Sequence, residues 1–261
     1  MKTALITGAS FGIGEKFAQE LASRQTNVVL VARSKDKLDG LAQQLQEKYQ
    51  IQAEVIAKDL TEPGATQAVF DEVTQKGITI DLLINNAGFG DYGPFAERDL
   101  QKQVKMIQLN ITALVELSHL FLTPMRQRRS GSIINVASIA AYQPIPYMSI
   151  YSATKAFVLH FSEALWAENK DAGLHILALC PGPTESNFFE TAEFPSTLGS
   201  GNKKDLVPAE SVVKDALQAL EKNQSTLVTG GFGNHIIANI SRFIPREMVV
   251  SLVGKQFKTP K

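Results

Sequence analysis

Thr3-Ala-Leu-Ile-Thr7-Gly8-Ala9-Ser10-Phe11-Gly12-Ile13-Gly14 opens the chain with a short apolar run, a glycine-rich turn and the start of a segment in which Ile13, Phe17 and Leu21 recur every four residues. The short apolar run predicts a strand, and the four-residue recurrence puts three apolar side chains on one helix face. Glycines let the backbone turn sharply and approach a pyrophosphate closely. The following helix offers that anion unpaired N–H groups and a positive dipole end. The spacing Gly-x-x-x-Gly-x-Gly is one residue longer in its first gap than the usual dinucleotide fingerprint. Alone a glycine triplet is weak evidence. Between a first strand and an amphipathic helix it predicts a phosphate cradle over Gly8, Ser10, Phe11, Gly12, Ile13 and Gly14 rather than a merely structural turn.

Outward from this stretch, strand-like and helix-period segments alternate. Strands are expected at Asn27–Ala32, Ile51–Ala57, Ile80–Asn85, Ser132–Ala137, Leu174–Cys180 and Ser225–Thr229. Helices are expected around Leu38–Leu45 and over Pro63–Lys76, Asp99–Arg128, Tyr151–Asp171 and Pro208–Lys222. Continuous apolar strands between helices predict a parallel sheet covered on both faces. Right-handed crossovers make it an α/β, Rossmann-like, doubly wound sheet of about seven strands, with ligands at the carboxyl ends of the strands. No repeat or linker interrupts it. The expected organisation is one catalytic domain over residues 1–233, including a substrate lid at 181–207, followed by an amphipathic tail at 234–261.

The 261 residues are 44% hydrophobic, enough for a sizeable core without covalent staples. Acids and bases balance at 26 each, so no global charge favours nucleic acid. The single cysteine, Cys180, excludes an intrachain disulfide. With no charged leader or apolar stretch approaching the ~20 residues that span a bilayer, a cytoplasmic protein is expected. Cys180 reads as a small buried hydrophobe. His119, His160, His175 and His235 have no metal-ligand partners in sequence, and no metal is expected.

An acid about 20 residues beyond the glycines usually bonds the ribose of NAD. Here strand two ends Val31-Ala32-Arg33-Ser34. Ala32 stands where the acid is expected. Arg33 can grip a 2′-phosphate bidentately and Ser34 can add a hydroxyl bond, which points to NADP.

Tyr151-Ser-Ala-Thr-Lys155 places a phenol and an ammonium on one helix face. Ser138 closes the strand before it, and Asn110 lies within the long helix upstream. With Thr7-Gly-x-x-x-Gly-x-Gly14, Asp59, Asn85-Asn-Ala-Gly88, Asn110, Ser138, Tyr151-x-x-x-Lys155 and Pro181-Gly182 in order, the chain resembles the short-chain dehydrogenase/reductase family over about residues 1–230, in its shorter oxidoreductase branch. The resemblance implies hydride transfer between NADP(H) and a carbonyl or secondary alcohol. It implies Tyr151 as acid/base, Ser138 holding the substrate oxygen, Lys155 holding ribose hydroxyls and Asn110 supporting a water relay. It puts Asp59 at the adenine, Asn86, Ala87 and Gly88 along the adenosine side, and Pro181, Gly182 and Thr184 beside the nicotinamide, with Leu60 also among the cofactor-binding residues. A phenol titrates near pH ~10. Lys155 and an oxidised nicotinamide are expected to lower it toward the working pH.

Phe89, Tyr92, Phe95, Tyr142, Ile145, Tyr147, Met148, Phe188 and Phe189 predict an apolar pocket rim and an apolar substrate. Tyr147 lacks a lysine four residues on and reads as lining or packing. The tail carries Ile236, Ile237, Ile240, Phe243 and Ile244, then Met248, Val249, Leu252 and Val253, at helical spacing broken near Pro245, with Arg242, Arg246, Lys255, Lys258 and Lys261 against Glu247. Such a helix can lie on a membrane surface. Docking onto the body or a sister subunit is the preferred reading. By resemblance, a homodimer or homotetramer built on the Asp99–Arg128 and Tyr151–Asp171 helices is expected. The alternative function is a catalytically silent NADP(H) sensor on the same fold. An epimerase or dehydratase is disfavoured by the glycine spacing.

Overall fold

Period-two alternation with apolar side chains on both faces builds the sheet. The computed structural model describes residues 1–195, 206–240 and 243–258. Among them seven strands, β1 (Thr3–Thr7), β2 (Asn27–Ala32), β3 (Ala53–Ala57), β4 (Leu82–Asn85), β5 (Gly131–Val136), β6 (Leu174–Cys180) and β7 (Thr226–Val228), pair in parallel in the order β3-β2-β1-β4-β5-β6-β7. On one face Ile6, Leu30, Ile84, Ile134 and Leu177 bury against α1 (Gly12–Ser23), α2 (Lys35–Tyr49) and α8 (Ala209–Glu221). On the other, Leu5, Val29, Leu83, Ile133 and Ile176 meet Val69 and Val73 of α3 (Ala65–Gln75) and Leu117, Phe121 and Met125 of α5 (Leu114–Gln127). Adjacent residues thus serve opposite layers, the pattern of a sheet buried on both sides.

The long helix expected within Asp99–Arg128 is present, with a change of pitch partway along it. α4 (Leu100–Ile107) passes through a π-helical turn, Gln108–Ala113, into α5. Contrary to the sequence reading, the continuous helix Leu100–Gln127 is long and apolar enough to cross a membrane by length and composition. Scattered polar residues mask it as a run. In the fold, its Leu114, Leu117, Phe121 and Met125 face the protein interior.

α6 (Ser149–Asn169) follows β5, and α7 (Phe188–Thr191) follows β6. Beyond β7 come α9 (Phe232–Ile240) and α10 (Arg246–Phe257). Val249 and Val253 of α10 are buried in a cluster with Tyr92, Met106, Ile145, Met148 and Tyr151. Residues 196–205 of the expected lid, and Arg242 and Lys261 of the basic tail, lie outside the described residues.

Candidate active site

The sheet order reverses between β1 and β4, and their carboxyl ends are stitched together there. The Thr7 hydroxyl accepts hydrogen bonds from the amides of Asn86 and Ala87, each 3.0 Å. The Asn86 Nδ2 donates to the carbonyls of Thr7 and Gly8 at 2.9 and 3.2 Å. Gly8 and Gly12 hold φ of +66° and +60°, which L side chains rarely adopt. α1 starts at Gly12 without a side-chain cap, leaving its first-turn amides to an anion. A pyrophosphate fits these features.

At Gly14 an added Cβ would collide with the Gly8 carbonyl oxygen and come within 2.5 Å of Asn86 Nδ2. Backbone cannot step aside as a side chain can. Gly14→Ala is expected to cost roughly 1–3 kcal/mol of stability and to weaken nucleotide binding. Urea unfolding and nucleotide titration check this, and an unchanged midpoint with unchanged affinity would contradict the close approach.

Above this cradle opens a cavity of about 490 Å³ at the carboxyl ends of the strands. Its wall brings together Gly8, Phe11, Gly12, Ile13, Asn86, Ala87, Gly88, Ser138, Tyr151, Lys155, Pro181, Gly182 and Thr184. Ser10, Gly14, Arg33, Ser34, Asp59, Leu60 and Asn110 are not part of that wall. Arg33 follows β2 with its side chain 78% exposed, 4.0 Å from the Asp59 carboxylate. Burial works to raise the Asp59 carboxyl, but hydrogen bonds from Thr61 and the charges of Arg33 and Lys105 hold it below its ordinary value.

Asn110 sits buried in the π-helical turn. Its Oδ1 accepts from the Phe89 amide at 3.1 Å, and its Nδ2 donates to the Phe89 carbonyl at 3.0 Å and to Thr154 Oγ1 at 3.1 Å. The amide thereby ties the loop after β4 to α6 from behind the cavity wall. Beneath it, Asn85 Nδ2 donates to Ser118 and Asn135, and Asn135 Nδ2 to Ser162, joining β4 and β5 to α5 and α6.

Ser138 follows β5 and hydrogen-bonds the Tyr151 phenol. Tyr151 lies in the first turn of α6 against Phe188, ring centroids 5.0 Å apart. One turn on, Lys155 is buried, with Nζ donating to the Val136 carbonyl at 2.7 Å and lying 5.8 Å from the Tyr151 ring centre. The expected lowering of the phenol pKa is not found in this geometry. Burial pushes Tyr151 up to about 12, against the lowering effect of the Ser138 bond. Burial also brings Lys155 down to about 8, opposed by Cys180. The ammonium is engaged by a carbonyl on β5 rather than by the phenol. Cys180 is wholly buried, and burial pushes its thiol up to about 12.

Of the expected rim, Ile145, Met148, Phe188 and Phe189 line the cavity; Phe89, Tyr92, Phe95, Tyr142 and Tyr147 do not. Tyr147, at φ +68°, stacks on Tyr92 from outside the cavity. Gln256 and Phe257 at the end of α10 do line it, a role the sequence reading missed. Tyr92 donates from its hydroxyl to the Phe257 carbonyl at 2.6 Å, and Phe257 meets Phe194 edge to face.

A doubly wound parallel sheet with a glycine cradle at the reversal of strand order defines the dinucleotide-binding α/β class. The family model described as "short chain dehydrogenase" matches residues 2–194. The chain belongs to the short-chain dehydrogenase family. It is 38% identical over 184 residues to a very-long-chain 3-oxoacyl-CoA reductase of Anas platyrhynchos, a match covering 68% of this chain and 58% of the duck protein. The chain thus matches under two thirds of that relative's length. Among solved structures, it is similar to a short-chain dehydrogenase from Sphingobium yanoikuyae in complex with NADPH, at TM-score 0.81 and 34% identity, covering 87% of both chains. It is also similar to the bulky-bulky ketone specific alcohol dehydrogenase from Comamonas testosteroni, at TM-score 0.78 and 32% identity, covering 93% and 92%.

Proposed function

We propose that this protein is an NADP(H)-dependent oxidoreductase acting on apolar ketones and the corresponding secondary alcohols. The observation that carries the reading is that Ser138, Tyr151 and Lys155 line the same cavity as Gly8, Gly12 and Ile13. A bound nicotinamide supplies or takes the hydride and, when oxidised, adds a positive charge. In reduction, Tyr151 Oη gives its proton to the substrate oxygen as the carbonyl carbon receives hydride. A phenol at about 12 stays protonated at neutral pH and is in the state a donor needs. Ser138 donates to the same developing oxyanion. Lys155 spends one of its three N–H groups on Val136, leaving two for ribose hydroxyls. Asn110 acts by positioning the loop at Phe89 and the start of α6.

The aromatic wall of Phe188, Phe189, Phe194 and Phe257 supports an apolar substrate. The names of the duck reductase and the Comamonas enzyme support the same reading. A panel of ketones read by NADPH absorbance tests it. Faster reduction of apolar than of small charged carbonyls is expected, and the reverse order would overturn it.

The exposed Arg33 beside Ala32 supports NADP over NAD. Arg33→Ala is expected to cut the kcat/KM preference for NADPH over NADH by roughly 10- to 150-fold, the worth of one charged hydrogen bond. An unchanged ratio would remove Arg33 from cofactor choice.

Leu100, Val104 and Ile107 on α4 and Phe157 on α6 expose apolar surface, which supports self-association through these helices. Val104→Glu with Phe157→Glu is expected to lower the sedimenting mass to a monomer's, and an unchanged oligomer would contradict this.

A further inference from the structure

Helices α9 and α10 each turn one face inward and leave an apolar face in solvent. α9 buries Asn234 and Ala238, whereas Phe232, Ile236 and Ile240, four residues apart, are exposed, Phe232 by 80%. Phe243 beyond it is 82% exposed. α10 buries Val249 and Val253 and leaves Met248 and Leu252, also four apart, exposed. A single exposed apolar residue is ordinary, but a run of them on two successive helices marks an interaction site. Arg246, Lys255 and Lys258 are exposed on the same segment, against Glu247 alone.

We propose that this face of α9 and α10 docks onto an anionic lipid surface. Exposed Phe, Ile, Leu and Met beside a basic margin is the composition of a helix lying in the headgroup region. The three cations match anionic headgroups. A two-fold contact between copies would bring six of these cations and two Glu247 carboxylates to one interface, an excess of like charge. Docking also has a consequence for the cavity. α10 ends in Gln256 and Phe257, which line the cavity, so lipid docking would engage the helix that forms part of the cavity wall. The docking itself does not rest on the proposed activity.

The full chain is sedimented with phosphatidylcholine vesicles, with and without phosphatidylserine, at low and high salt. Binding to the phosphatidylserine vesicles, weakened by salt, is expected. The double variant Phe243→Ser, Leu252→Ser is expected to lose binding by roughly tenfold or more. Its affinity for NADPH and its sedimenting mass in the absence of lipid should remain those of the parent. No binding to phosphatidylserine vesicles, equal binding by the variant, or a variant that falls apart from an oligomer into monomers would each overturn the proposal. The last outcome would make this face a contact between copies.

Discussion

Tyr151→Phe is expected to lower kcat for ketone reduction by roughly 10²- to 10⁴-fold while NADPH binds with unchanged affinity. The substitution removes one oxygen. It keeps the ring that packs on Phe188 and the backbone that starts α6, so cavity shape is conserved. What disappears is the proton donor, and with it the Ser138 bond to the phenol. Fluorescence titration with NADPH and steady-state turnover separate the two effects. Parallel losses in affinity and turnover would indicate a collapsed site. Unchanged turnover would move the acid to another group. If biological output survived the loss of turnover, the sensor reading would be favoured instead.

The second large effect lies at Asp91, in the loop after β4. Its side chain is fully buried. Oδ1 accepts from Arg98 at 2.7 Å and pairs with Lys102 at 2.6 Å, and Oδ2 accepts from Arg98 Nε at 2.7 Å and Gln103 at 2.5 Å. Arg98 and Lys102 reach on to Glu193 at 2.7 and 2.6 Å. Glu193 follows α7, and the Tyr92 amide donates to the Ala192 carbonyl at 2.9 Å. The cluster therefore fastens the segment carrying Phe188, Phe189 and Phe194 over the cavity. Removing the carboxylate takes the shared acceptor from Arg98, Lys102 and the buried Gln103, and Asp91→Ala is expected to destabilise the fold by about 1–3 kcal/mol.

Burial works to raise the Asp91 carboxyl, but Arg98 and Lys102 outweigh it and hold the group below its ordinary value. The native state thus prefers the ionised form. The contribution is complete above the unfolded carboxylate range and is lost as pH falls through the lowered native value. Chemical denaturation of parent and variant from neutral to acid pH should show the gap narrowing toward acid. A constant gap would mean the loss is one of packing. KM for apolar ketones should rise more than kcat falls, because the damage is to the wall and not to the proton donor.

The boundaries of β1, β2 and β6 coincide with their apolar runs, because central parallel strands are buried along their length. β3 and β4 begin two residues later than Ile51 and Ile80. Both isoleucines are buried but precede the ladder, so an apolar pattern reports burial and not pairing. The cradle and the Tyr151–Lys155 pair were legible because their spacing is local. The far wall was not. Gln256 and Phe257 reach the cavity through a tail fold that no local period encodes. Tyr92 and Tyr147 look alike in sequence to Phe188 and Phe189, yet they pack behind the wall, held by the Gly93–Tyr147 backbone bond and the Tyr92–Phe257 bond. The clamp left only a faint trace, an acid in a glycine-rich loop followed by Arg98 and Lys102 four residues apart.

A crystal structure of the protein with NADPH bears most directly on the account. The pyrophosphate should lie on Gly8–Gly12 and the α1 amides, with the nicotinamide beside Pro181 and Gly182 and its reactive carbon facing the space in front of Tyr151 Oη and Ser138 Oγ. A nucleotide bound elsewhere, or a nicotinamide ring turned away from Tyr151, would contradict it.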